Sequence, residues 1–351
     1  MTLRLDAMRA HPGFPWLDPG DASGISGFLA GRGWLEPGER MIDCTRAGDG
    51  NMNLTLRVRT DRRSMILKQA RPWVEKYDHI AAPWERSLSE RWFYERVAAI
   101  PEVARHVPRL LASDPDVRVL LLEDLDGASD LTGIYAGERL EPAEVEELAR
   151  VLRALHDATA GDPARPGFNR AMRELNHAHC FVAPLDPATT LPLDRFEPGL
   201  ETARATFIAD HALRTLAEAV GEAYRTGAGP LVHGDYFPGS WLRTSAGITI
   251  IDPEFCFQGD RAIDVGCAMA HLVLARQSPA VAQRFLDAYA PTGDECDPVA
   301  LARYAAMEIV RRLIGVAQLP IAPTRGWRAA LLARAREAAL TGRLAPLWAP
   351  A

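Results

Sequence analysis

Cysteine is scarce and scattered in this chain: Cys44, Cys180, Cys256, Cys267 and Cys296 are the five among 351 residues. No CxxC spacing occurs and the number is odd, so neither a zinc site nor a disulfide framework is supported. Such usage suits a reducing compartment. Long apolar runs are missing as well. No stretch of about 18 uninterrupted apolar residues suggests a membrane span, and the N-terminal "MTLRLDAMRAHPGFPW" lacks the apolar segment of a signal peptide. A cytoplasmic protein without membrane contact is expected. A basic excess is absent too, since the formal net charge is -6, and nucleic acid is not an expected partner. Repeats and low-complexity tracts do not occur. What remains is ordinary for a globular protein, with 48% hydrophobic and 25% charged residues and length enough for two domains.

Residues 1–40 are rich in Gly, Pro and Asp and read as a loose arm with one short helix near "ASGISGFLAGRG". From 41 the pattern changes. "NLTLRVRT" alternates apolar and polar residues, "DRR" supplies a turn and "SMILKQA" a second strand, which is a hairpin signal. "SLSERWFYERVAAI" reads as a helix capped by Ser87 or Ser89, and "VRVLLLEDL" as another strand. Beyond it the chain turns helical. "EPAEVEELARVLRALHDAT" starts with Pro142 in its first turn and sets Val145, Leu148, Leu152 and Leu155 on one face. A long helical run covers 200–226, short strands occur in "LVHGD" and "GITIIDPEF", and helices resume from 262. The layout is α+β: an arm over 1–40, a β-rich lobe over 41–125 and a mainly helical lobe over 126–351. Binding is expected between the lobes.

The segment "LVHGDYFPGSWLRTSAGITIIDPEF", residues 231–255, sets three carboxylates, Asp235, Asp252 and Glu254, among strand-forming apolar residues. Carboxylates near a core need compensation by a cation or a proton. Phosphoryl transfer from ATP uses such a set: an Asp facing the acceptor hydroxyl, a metal ligand five residues later, a further Asp after a hairpin, and a lysine for the phosphates. Asp235, Ser240, Asp252 and Glu254 occur in that order, and Lys68 lies upstream in the strand "MILKQA" with Glu95 in the next helix as its expected partner. The turn "GDGNMN" (48–53), with Gly50 and Asn51, is suited to cover phosphates with backbone N–H groups. Each element alone is weak, because a turn Asp is usually solvated and a strand Lys usually snorkels. Their order and spacing carry the reading. His156 reads as a structural histidine, His233 as a brace of the loop that bears Asp235, and Trp73, Trp84 and Trp241 as core.

Arg311 and Arg312 interrupt the otherwise apolar "AAMEIVRRLIGVAQL". Two charges in a helix that should be buried need anionic partners, such as Asp235, Glu254 or a phosphate.

The motifs "HGDYFPGSWL", "DPEF", "GDGNMNLTLRV", "LKQARPWV" and "RRLIGVAQ" resemble the aminoglycoside phosphotransferase superfamily of protein-kinase-like small-molecule kinases, most of all its methylthioribose kinase branch, from about residue 41 to 320. The resemblance implies a protein-kinase-like two-lobe fold with ATP and Mg²⁺ as cofactors. Asp235 would orient and deprotonate the acceptor hydroxyl. Asp252, Glu254 and Ser240 would hold metal, and Lys68, steadied by Glu95, would contact phosphates. Glu123 and Leu125 would offer backbone groups to adenine, and Arg311 and Arg312 would line the acceptor side. Tyr236 and Phe237 depart from the superfamily's usual Leu-His. The expected acceptor is a small sugar, methylthioribose or a related pentose. An aminoglycoside or other amino alcohol is the alternative within the same chemistry, and a non-catalytic nucleotide-binding relative the alternative outside it. A homodimer is left open.

Overall fold

The computed structural model of the chain describes residues 3–48, 52–290, 296–322 and 325–349. It divides after Ala128 into two compact units.

The first unit runs α1 (Leu3–Ala10), α2 (Ala22–Gly31), β1 (Met41–Arg46), β2 (Leu54–Thr60), β3 (Ser64–Gln69), β4 (Trp73–Val74), β5 (Tyr77–Ala81), α3 (Arg86–Val97), α4 (Pro101–Ala104), β6 (Leu110–Asp114) and β7 (Val119–Glu123). The alternation in "NLTLRVRT" is realised as Leu54, Leu56 and Val58 fully buried on one face of β2. The following turn is closed by the Thr60 hydroxyl, which accepts from the N–H groups of Arg62 (3.1 Å) and Arg63 (3.0 Å). That turn sets Leu56 opposite Leu67 on β3, and β7 in turn sets Leu121 opposite Leu67. The result is a five-stranded sheet ordered β1-β2-β3-β7-β6 with antiparallel neighbours.

Two expectations need correction here. Residues 1–40 do not form a loose arm. Leu17, Ile25, Phe28 and Leu29 are buried in one cluster with Leu54, Leu56, Val58, Leu67 and Leu121, because that sheet face is apolar and needs a cover. Gln69 secures the segment, its carboxamide accepting from the Leu17 N–H (3.0 Å) and donating to the Pro15 carbonyl (3.1 Å). Nor do Ser87 and Ser89 cap α3. The helix starts one residue before Ser87, with Glu85 at the N-cap, and both serines are buried inside it.

The second unit opens with β8 (Ser129–Asp130) and α5 (Pro142–Thr159). Glu141 and Glu144 form a reciprocal capping box around Pro142, and the expected face of Val145, Leu148, Leu152 and Leu155 is buried. Next come α6 (Arg170–His177), which runs into a π-helical turn over Ala178–Val182, then α7 (Leu200–Ala209) and α8 (His211–Thr226). The single helical run expected over 200–226 is thus two helices. Asp210 is extended between them and caps α8 by accepting from the Leu213 N–H (3.1 Å), a local bond that competes with helix continuation. Then follow β9 (Leu231–Val232), β10 (Trp241–Thr244), β11 (Gly247–Ile250), β12 (Phe257–Gln258), α9 (Ala262–Leu274), α10 (Pro279–Tyr289), α11 (Pro298–Ile314) and α12 (Trp327–Thr341). β9 pairs with β12, and β10 forms a hairpin with β11. Every residue of α9 is buried. It packs on α11 so closely at Gly266 that a Cβ there would lie 2.8 Å from the Tyr304 Cβ. The first unit, built on a sheet, and the mainly helical second unit match the expected α+β class. Among the described residues no helix is long and apolar enough to cross a membrane.

Candidate active site

The loop after β9 carries Asp235, and the chain around it is heavily tied. Gly234 has a φ of +85°, and a Cβ at this position would sit 2.3 Å from the Phe255 carbonyl oxygen, so only glycine fits. Asp264, in the first turn of α9 and fully buried, accepts from the His233 N–H on one oxygen (2.6 Å) and the Gly234 N–H on the other (2.9 Å). His156 on α5 donates to Asp264 through Nε2 (3.2 Å) while its Nδ1 accepts from the Tyr289 hydroxyl (2.8 Å). His233 meets the Ile251 carbonyl through Nε2 (3.0 Å) and the Asp235 N–H through Nδ1 (3.4 Å). It therefore links the residue before Asp252 to Asp235. His233 braces the loop and His156 is a buried structural histidine, as the sequence suggests. Asp264 was not anticipated, although an Asp heading an otherwise apolar helix is the kind of signal that marks a buried anchor.

Asp235 is half-buried and meets both arginines of α11. Arg312 Nη2 donates to Asp235 Oδ1 at 3.2 Å, and Arg311 Nη1 lies 3.6 Å from the same oxygen. A second carboxylate, Glu308, shares the pair: it accepts from Arg312 Nε at 2.6 Å and from Arg311 Nη1 at 3.0 Å. All three α11 side chains are buried. Burial pushes the Glu308 carboxyl up, but the two guanidinium charges and His271 more than reverse it and hold it well below its ordinary range. Burial likewise opposes the charge on Arg311, and Glu308 outweighs it, so Arg311 is raised well above its ordinary value. The expected anionic partner Asp235 is present, and Glu308 is the partner that was missed. Its signal was its position, three and four residues before the arginines on one helix face.

His271 on α9 completes this layer. Its Nε2 donates to Glu308 (3.1 Å), and its Nδ1 accepts from the Tyr135 hydroxyl. Burial lowers the His271 pKa, in keeping with a neutral ring. Cys267, His271 and Glu308 bring their ligand-type atoms within 4.8 Å of one another, the one such trio among the described residues. It does not suit a metal ion: both ring nitrogens of His271 are engaged, and the Glu308 charge is already matched by two arginines.

The hairpin β10–β11 leads to Asp252, whose backbone is left-handed (φ +61°), an uncommon state that Asp tolerates better than most residues. Asp252 is exposed, while Glu254, two residues on in a 3-10 turn, is buried. Ser240 is buried as well, and its carbonyl accepts from the Ile251 N–H (3.0 Å), joining the Asp235 loop to the Asp252 turn. Tyr236 is buried with its hydroxyl donating to the Leu148 carbonyl (2.8 Å), so it is a packing residue. Phe237 instead lies half-buried beside Arg312. Trp73 and Trp241 are core, and Trp84 stacks on Trp16.

In the first unit, Lys68 donates to Glu90 at 2.8 Å with both side chains buried. Glu95 is not the partner. It lies about 140° around α3 from Glu90, is exposed, and pairs with Arg91 at 2.7 Å. Glu90 shares the buried face of α3 with Phe93, Tyr94 and Val97, so the apolar stripe already marks it as the inward-facing carboxylate. Glu123 ends β7. Its carboxylate is held by Arg109 (3.1 and 3.2 Å), which depresses its pKa, and its N–H donates to the Arg109 carbonyl (2.9 Å). Leu125 lies two residues beyond β7 and opens a turn, its carbonyl accepting from the Ala128 N–H (3.0 Å). Gly50 and Asn51 lie outside the described residues.

The profile of the phosphotransferase enzyme family (APH) matches residues 43–299. Methylthioribose kinase of Exiguobacterium sibiricum is 28% identical over 252 residues, 68% of this chain and 62% of that protein. Methylthioribose kinase of Bacillus pumilus is 28% identical over 247 residues, 66% and 60% of the two chains. The matches thus span about three-fifths of the relatives' length. Among solved structures, LicA in complex with AMP superposes with a TM-score of 0.53 at 13% identity, covering 91% of this chain and 97% of that one. That likeness shows a shared fold.

Proposed function

The chain belongs to the phosphotransferase enzyme family, and on that premise we propose that it is an ATP- and Mg²⁺-dependent kinase acting on a hydroxyl of a small neutral sugar, methylthioribose or a related pentose. The observation that carries the acceptor class is the charge balance beside Asp235. Arg311 and Arg312 are matched by Asp235 and Glu308, two cations against two anions. A balanced polar cluster suits an uncharged polyol. It offers no surplus of carboxylates for a polycationic amine and no free cation for an anionic acceptor. The likeness to methylthioribose kinases points the same way.

In this reading Asp235 receives the proton of the attacking hydroxyl. Arg312 and Arg311 both meet Oδ1, which leaves Oδ2 as the oxygen for the acceptor. The arginines hold the carboxylate in one orientation and donate to neighbouring acceptor oxygens. Lys68, fixed by Glu90, contacts the nucleotide phosphates, and Glu123 and Leu125 serve the base. Asp252, Glu254 and Ser240 form a set of hard oxygen donors suited to Mg²⁺, and they would hold it. When bound, that ion neutralises charge on the phosphates being transferred.

A coupled ADP-release screen across methylthioribose, other pentoses, amino alcohols and aminoglycosides tests the proposal. Mg²⁺-dependent turnover with a neutral pentose is expected. Turnover confined to cationic acceptors would replace the sugar reading, and no turnover with any acceptor would leave a nucleotide-binding relative.

A further inference from the structure

Phe237 is two residues from Asp235 and is not used by the chemistry above. Its ring has a defined seat. The Arg312 guanidinium carbon lies 5.0 Å from the ring centroid, within the reach of a cation–π contact. The His271 ring lies 5.3 Å away. On another side the ring tip rests over Gly239, where an added Cβ would come within 2.5 Å of the Phe237 Cζ. The seat therefore exists because position 239 has no side chain. Arg312 is in this way held by three groups of two kinds: the carboxylates of Glu308 at 2.6 Å and Asp235 at 3.2 Å, and the Phe237 ring. The two carboxylates bind the guanidinium through its N–H donors, and the ring meets it through a cation–π contact.

We propose that Phe237 is a positioning residue that holds the Arg312 guanidinium on Asp235, and that Gly239 is the gap that lets the ring reach it. The inference rests on the reading of Arg312 as an acceptor-side residue. A histidine or an aliphatic residue at 237 would supply less ring face to Arg312.

Three variants of the full chain test it. Phe237→Leu keeps apolar bulk and loses the ring. Gly239→Ala keeps the ring and drives it from its seat. 3,5-Difluorophenylalanine at 237 keeps the shape and weakens the ring's negative face, and so serves if either replacement fails to fold. Each is expected to raise the acceptor KM about 2- to 30-fold, the range of a cation–π contact, with the KM for ATP unchanged. Gly239→Ala should add little on top of Phe237→Leu, because leucine does not reach position 239. A folded Phe237→Leu or difluoro variant with wild-type acceptor KM and kcat overturns the inference, as does an equal rise in both KM values. Should the wild type phosphorylate no acceptor, the kinase reading fails separately. The Arg312 Nε–H signal in ¹⁵N-resolved NMR, identified by its loss in Arg312→Lys, then decides: a shift in Phe237→Leu and Gly239→Ala supports the seat, and an unmoved signal overturns it.

Discussion

Glu308 accepts a hydrogen bond from Arg312 Nε at 2.6 Å, with both side chains more than nine-tenths buried. The same guanidinium reaches Asp235 with its Nη2. One carboxylate thus sets the position of the cation that sets the other. Glu308→Gln should destabilise the protein by about 3–5 kcal/mol at neutral pH, because it leaves a buried cation pair short of one charge. The effect depends on pH. With the Glu308 pKa held well below its ordinary 4.5, the folded state binds its proton less readily than the unfolded state. Its contribution is complete above the unfolded carboxylate range and is lost as pH falls through the folded value. Thermal melts from about pH 6 to about pH 3 should therefore show the gap between wild type and Glu308→Gln closing with acid. A constant gap would mean that Glu308 does not carry the charge assigned to it.

Asp235→Asn should nearly abolish phosphoryl transfer, by roughly 10²–10⁴-fold in kcat, while nucleotide affinity is kept. In the proposed reading the carboxylate acts on the acceptor and not on ATP. Titration calorimetry with a nonhydrolysable nucleotide, beside the ADP-release assay, separates the two. Turnover within about threefold of wild type would remove Asp235 from the proton-accepting role.

For the lysine strand the prediction distinguishes two glutamates on one helix. Glu90→Gln removes a buried partner at 2.8 Å from Lys68 and should cost up to about 3–5 kcal/mol and raise the KM for ATP. Glu95→Gln breaks an exposed pair with Arg91 and should stay within about 0.5 kcal/mol with unchanged kinetics. Urea unfolding of both variants checks the order. Equal losses would defeat it.

Asp264→Asn tests the loop anchor. An amide offers one acceptor oxygen where the carboxylate has two, and its NH₂ group would face an N–H donor of His233 or Gly234. Slower turnover and faster hydrogen exchange at His233 and Gly234 are expected. Unchanged exchange at those amides would show that the loop is held by other contacts.

Local features of this chain were legible before its structure. Strict alternation over Leu54–Val58 and the face from Val145 to Leu155 left one way to bury the apolar residues, and the structure adopts it. What could not be read was long-range choice. Glu90 and Glu95 sit on the same helix, and only the register of α3 against the sheet decides which meets Lys68. Glu308 and Asp264 carried a local signal, but the partners they hold, from α5, the Asp235 loop and α9, lie far away in sequence. The break at Asp210 was hidden because one side-chain cap outweighs the propensity of its neighbours.

The cover that Leu17, Ile25, Phe28 and Leu29 place on the sheet bears on where this protein can be divided. The family match begins at residue 43. A fragment starting there would retain almost all of the sheet yet leave the Leu54, Leu56, Val58 and Leu67 face open to water, an apolar patch of the kind that drives association. The boundary drawn by the family match is therefore not a boundary of folding. The stretch that the family match does not reach supports the stretch that it does.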